Sequence, residues 1–181
     1  MQIQMPFDEP TIALLTRLMA RISATLFIVW LLRQGWLRWR GPLDERAMRA
    51  QRNLFLTFAA AHLIHLAALL SLAWVTHGES VRTRGGWLAA ALTGGIIYLA
   101  IVLMAAAHLG LIPGAARVRA SRGAEMTVAL LVWLAFMQAY TGRAIASAYY
   151  APFPLLLVTG ILLYVTAPRS RSARVEEQLG S

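Results

Sequence analysis

The chain of 181 residues contains no cysteine, which excludes disulfides, iron–sulfur clusters and thiolate chemistry. It contains no lysine either. All 17 basic residues are arginine, a bias that fits a GC-rich bacterial coding sequence better than a function. Charge of either sign is scarce: 14% of residues are charged, against roughly 25% in a soluble domain. No GxGxxG is present, and no polar stretch is long enough for a flavin or nicotinamide domain. The opening MQIQMPFDEP lacks a basic start, and no small-residue cleavage site follows the first apolar run, so it is not read as a signal peptide.

What the sequence does have is apolar surface. It is 59% hydrophobic with a mean hydropathy of +0.59, and its charges cluster between apolar runs. Those runs lie at about Thr11 to Leu32, Leu54 to Val75, Trp87 to Leu109, Met126 to Tyr140 and Tyr149 to Ala167. A helix needs roughly 20 apolar residues to cross the hydrocarbon core. Lipid leaves no partner for unpaired backbone, so only helices or a closed barrel can span it. Runs without strict alternation exclude the barrel. The expected fold is therefore all-α: a transmembrane bundle of about five helices over residues 11–167. A short N-terminal segment (1–10) precedes it and a solvated tail (168–181) follows it. Segments four and five form a helical hairpin.

The arginines give an orientation. Arg33, Arg38, Arg40, Arg46, Arg49 and Arg52 lie between segments one and two, Arg117, Arg119 and Arg122 between three and four, and Arg169, Arg171 and Arg174 in the tail. The alternate loops hold only Arg82 and Arg84, or Arg143. Positive-inside counting puts the N-terminus outside and the C-terminus in the cytoplasm. Trp36 and Trp39 are expected at the inner interface, and Trp74, Trp87, Tyr140, Tyr149 and Tyr150 at the outer one. Gly94 and Gly95 are expected where helices two and three approach closely. Arg17 and Arg21, near the outer end of the first span, are expected to snorkel. Although the net charge is +9, the arginines sit at span ends rather than in a patch on a soluble fold, so no nucleic-acid partner is expected. The implied partner is the lipid bilayer, in a bacterial inner membrane.

Four histidines are the candidates for chemistry. His62 and His65, three residues apart, share a face of the second helix. His65 lies roughly 20 Å in from Arg52, near mid-bilayer. An ionisable group there is costly unless paired or neutral, so a haem, a proton path or a helix–helix hydrogen bond is expected. His77 and His108 fall at helix ends, where polar side chains are well tolerated, and Glu125 is placed to cap the fourth helix. A zinc or di-iron site lacks the three ligands it needs. The bland alternative for His62 and His65 is a packing hydrogen bond to a neighbouring helix.

The stretch Arg52-Asn53-Leu54 through Ala59-Ala60-Ala61-His62-Leu63-Ile64-His65-Leu66 resembles the first haem-carrying helix of the ferric reductase-like transmembrane domain. That family includes haem-binding membrane subunits of periplasmic methionine sulfoxide repair systems and, more distantly, the NADPH oxidases. Ala20-Arg21-Ile22-Ser23 is similar to the opening of the first helix in small bacterial members, and Trp133…Tyr140-Thr141-Gly142-Arg143 to the end of a later haem-facing helix. The resemblance covers roughly Arg21 to Arg143. It implies a haem b with His65 as ligand and His62 as second candidate. It also implies electron transfer across the membrane, a quinone or flavoprotein donor and a periplasmic acceptor subunit. The chain departs from the pattern at the second ligand: Glu125 and Gln138 stand at the family's positions, and neither is an axial haem ligand. Met137, His108 or a partner chain are the alternatives. A haem-free scaffold or assembly subunit is the competing reading.

Overall fold

A computed structural model describes residues 8–41, 44–78 and 87–167, without the side chains of residues 87–93 and 120. The Arg82 and Arg84 loop, the arginines of the tail, residues 1–7 and the side chain of Trp87 lie outside the described residues. Among the described residues the structure is helical throughout: α1 (Glu9–Arg40), α2 (Glu45–Val75), α3 (Trp87–Leu109), α4 (Ala115–Ala120), α5 (Arg122–Ala146), a 3₁₀ turn (Ala148–Tyr150) and α6 (Pro152–Thr166). Four helical stretches are long and apolar enough to cross a membrane: Glu9–Arg40, Glu45–Val75, Arg122–Ala146 and Ala148–Thr166. The apolar stretch Gly94–Leu109 is shorter. The first two helices run further than their apolar segments, because nothing in the Arg-rich ends of either breaks a helix.

Local signals account for most boundaries. Asp8 caps α1, accepting the Thr11 N–H at 3.3 Å, and the Thr11 side chain leads in holding the Asp8 carboxyl below its usual 3.8. Asp44 caps α2 by accepting the Ala47 N–H at 2.6 Å. Ser121, rather than the expected Glu125, caps α5, with its Oγ accepting from Ala124 at 3.2 Å. Glu125 stands in the first turn of α5, where its charge favours the helix dipole.

Two helices end in Schellman motifs. At the end of α3, Leu111 N–H donates to Ala106 O and Gly110 N–H to Ala107 O, with Gly110 at φ 75°. Arg119 donates to the same Ala107 carbonyl at 3.2 Å, so a cation closes the negative end of the helix. At the end of α2 the matching bonds are Gly78 N–H to Ala73 O and His77 N–H to Trp74 O. The left-handed position is taken there by His77, at φ 49°. This gives His77 a backbone role. The left-handed region costs an L-residue about 1 kcal/mol. His77→Gly is therefore expected to raise stability by about that amount, read as the unfolding midpoint in mild detergent.

The chain divides into two compact units, Met1–Ala24 with Leu56–Val128, and Thr25–Phe55 with Ala129–Ser181. The core of the second is aromatic. Phe27 packs on Trp30 (ring centroids 5.8 Å) and Phe136 (5.5 Å), and Trp30 on Phe55 (5.4 Å) and Tyr164 (6.4 Å). Tyr140, expected at the outer interface, is instead 1% exposed and stacked on Phe153 at 4.4 Å. Of the other aromatics expected at the interfaces, Trp36, Trp39, Trp74 and Tyr149 are exposed and Tyr150 is half-buried. Close backbone approach occurs at Gly35 and Gly160 rather than Gly94 and Gly95. A Cβ on Gly35 would meet Leu163 Cβ at 2.8 Å and Tyr164 N at 2.9 Å, and one on Gly160 would meet Leu31 at 3.0 Å. Among the described residues, a Cβ on Gly94 or Gly95 meets nothing within 4 Å.

One buried polar clamp holds α1 to α2 in this unit. Gln51 accepts from Arg33 Nη1 at 2.7 Å and donates to the Trp30 carbonyl at 3.0 Å. Hydrogen bonds to a charged group contribute about 1.5–3 kcal/mol. Gln51→Leu is expected to lower stability by about 2 kcal/mol, measured by unfolding in mixed micelles, and an unchanged midpoint would show that the clamp contributes nothing.

Candidate functional site

The first unit brings the two central histidines together. Both lie in the apolar half of α2, and their ring centroids are 5.8 Å apart, as the three-residue spacing on one helix face requires. His62 is buried and His65 half-buried. Tyr98 of α3 stacks on His62 with centroids 4.6 Å apart and planes 25° from parallel. Phe58, one turn back on α2, packs on the same imidazole at 5.5 Å. The cluster is therefore Phe58, His62, His65 and Tyr98, with α2 supplying three members and α3 the fourth.

This geometry separates the two imidazoles. The faces of His62 are occupied by aromatic rings, which restrains its orientation about the helix. An imidazole coordinates iron through a ring nitrogen, at its edge, so stacking on a face does not block ligation but does limit where that edge can point. His65 lies one turn further along the same face, with the His62 ring as an aromatic neighbour. The sequence singled out the histidines through their spacing and depth. It gave no reason to choose Tyr98, because a tyrosine in an apolar run reads equally well as interface or core.

The other candidate ligands fall elsewhere. His108 is half-buried in the last turn of α3, ten residues beyond Tyr98. Met137 is half-buried on α5 and belongs to the second unit, while Gln138 beside it is exposed. Glu125 lies in the first turn of α5. Among the described residues no group of three or more His, Asp or Glu side chains could hold a metal ion directly. Haem makes a smaller demand on the protein, since the porphyrin supplies four of the iron ligands and the chain one or two.

The surface around these helices is suited to lipid. Leu70 of α2, Leu99 of α3, Leu134 of α5 and Leu155 of α6 are each about 60% exposed or more. Soluble monomers do not expose apolar side chains along every long helix. The helices define an all-helical protein suited to a lipid bilayer. No protein-family model matches the chain, nor does any curated protein or solved structure.

Proposed function

We propose that the chain is a multi-pass protein of a bacterial inner membrane that carries electrons across the bilayer on a b-type haem, whose iron His65 would hold. The observation that supports this best is the imidazole pair in the apolar half of α2, rings 5.8 Å apart, with His62 held by Tyr98. Polar aromatic side chains at this depth are costly without a use. The donor set fits one axial position, since imidazole binds haem iron readily. When bound, the haem supplies a one-electron couple at mid-membrane depth.

In this reading His65 would hold the iron, and the stack of Phe58, His62 and Tyr98 sets the lie of the helix face that would present it. His108 or a partner chain would supply any second ligand. With α3 as a fifth span beside the four longer stretches, the Arg33–Arg52 and Arg117–Arg122 clusters put the N-terminus outside and the C-terminus in the cytoplasm. Electrons come from a quinone or a flavoprotein and leave to an acceptor subunit on the periplasmic side.

A second reading rests on the stack itself. Face-to-face packing at 4.6 Å gives His62 a full role in joining α2 to α3 without any cofactor. The chain would then be a haem-free scaffold or assembly subunit. The experiment that decides is a reduced-minus-oxidised absorption spectrum of protein purified from haem-replete cells, with a pyridine haemochrome count. A b-type spectrum at about one haem per chain supports the first reading. A flat spectrum supports the second.

A further inference from the structure

The end of α1 and the start of α2 carry a feature that the haem reading does not use. Gln51 joins Arg33 at 2.7 Å, so the last turns of α1 run antiparallel to the first turns of α2. Six arginines fall on this hairpin between residues 33 and 52, against two carboxylates. Both carboxylates are engaged on α2 itself: Asp44 caps its N-terminus and Glu45 pairs with Arg49 at 3.2 Å. The hairpin is therefore strongly cationic at its closed end.

Its exposed surface has an amphipathic order. Arg33, Trp36 and Arg40 lie on one stripe of α1, and Val29 continues the stripe toward the apolar part of the helix. Trp36 is 53% exposed, and the Arg40 guanidinium lies over its ring at 5.1 Å. Arg46 and Arg52 are exposed on the facing helix. The hairpin is also fixed in place. Trp39 Nε1 donates to the Leu163 carbonyl at 3.2 Å, and Arg38 lies over the Tyr164 ring at 4.5 Å. Guanidinium groups bind phosphate oxygens in a planar, paired geometry. Indoles favour the headgroup zone, and basic clusters beside membrane helices attract anionic lipid.

We propose that this hairpin is a binding site for an anionic phospholipid, with the exposed Arg40 and Arg46 at its closed end on the phosphate and Trp36 and Val29 against the glycerol and upper acyl chain. The inference rests on the chain being membrane-embedded and not on haem, so the two fail independently. Charge complementarity selects the occupant: a zwitterionic headgroup brings no net charge to a surface with six arginines.

The test is lipid titration of the full chain in mild detergent, read by native mass spectrometry and by the unfolding midpoint. Phosphatidylglycerol is expected to bind and raise the midpoint, with binding that weakens as ionic strength rises. Phosphatidylcholine is expected to do neither. Each arginine near the surface is worth about a factor of five, so Arg40→Gln and Arg46→Gln together should weaken phosphatidylglycerol binding about 25-fold. Their lysine counterparts should retain most of it. Equal binding of the two lipids, salt-insensitive binding by the unaltered chain, or undiminished binding by the glutamine variant would each overturn the proposal. So would an equal rise of the midpoint with inorganic phosphate alone.

Discussion

On the proposed haem reading, replacing His65 with alanine is expected to remove the b-type spectrum altogether, taking haem content from about one per chain to near zero. His62→Ala is expected to keep most of the haem. It should broaden or shift the spectrum, because the stack on Tyr98 at 4.6 Å is lost and α2 gains freedom next to His65. Tyr98→Phe preserves the stack and should leave haem content unchanged. The ranking carries the information. If His62→Ala empties the protein and His65→Ala does not, the ligand has been assigned to the wrong imidazole. If all three variants keep full haem, the cofactor sits elsewhere. Stability in haem-free detergent provides the control, since a variant that merely unfolds loses its midpoint as well as its colour.

The second large effect is steric. Gly35→Ala should destabilise the protein by about 1–3 kcal/mol, the usual cost of overpacking. The added methyl would stand 2.8 Å from Leu163 Cβ and 2.9 Å from the Tyr164 backbone nitrogen. Backbone cannot swing aside as a side chain can, so α1 and α6 must separate. The separation also weakens the Trp39 bond to the Leu163 carbonyl and the contact of Arg38 with Tyr164. Gly95→Ala is the paired control. A Cβ there meets no described atom within 4 Å, and alanine is the better helix former by about 1 kcal/mol. It should leave the midpoint unchanged or raise it. Equal losses at the two positions would show that the close contact at Gly35 carries no energy.

These contrasts mark what the sequence made legible. Its apolar runs gave the helical class and the location of four long helices, because lipid demands continuous hydrophobicity and that demand is written residue by residue. The spacing of His62 and His65 placed their rings together, since local helix geometry fixes neighbours three residues apart. Partners between helices were not legible. Gly94 and Gly95 looked like a contact because they are adjacent and small, whereas the close approaches are at Gly35 and Gly160. Gly35 had no neighbouring small residue to announce it. Tyr140 looked interfacial because tyrosine favours that zone, but Phe153 offered it a stacking surface in the core. Tyr98 was passed over for the same reason. Which ring faces which depends on the rotation of each helix about its axis, and a one-dimensional pattern records only the period.

The junction of Trp39 with Leu163 joins residues 124 positions apart. During synthesis α1 enters the bilayer early, and the helix that seats against Gly35 follows only after most of the chain. Until then lipid must line the Gly35 groove, and the indole of Trp39 must find a temporary partner among headgroups. Helices in a bilayer form first and associate afterwards. The last association here is a late latch between distant parts of the chain. A chain arrested before α6 would leave this seam open in the membrane, offering a cell's quality-control proteases a means of telling the unfinished protein from the finished one.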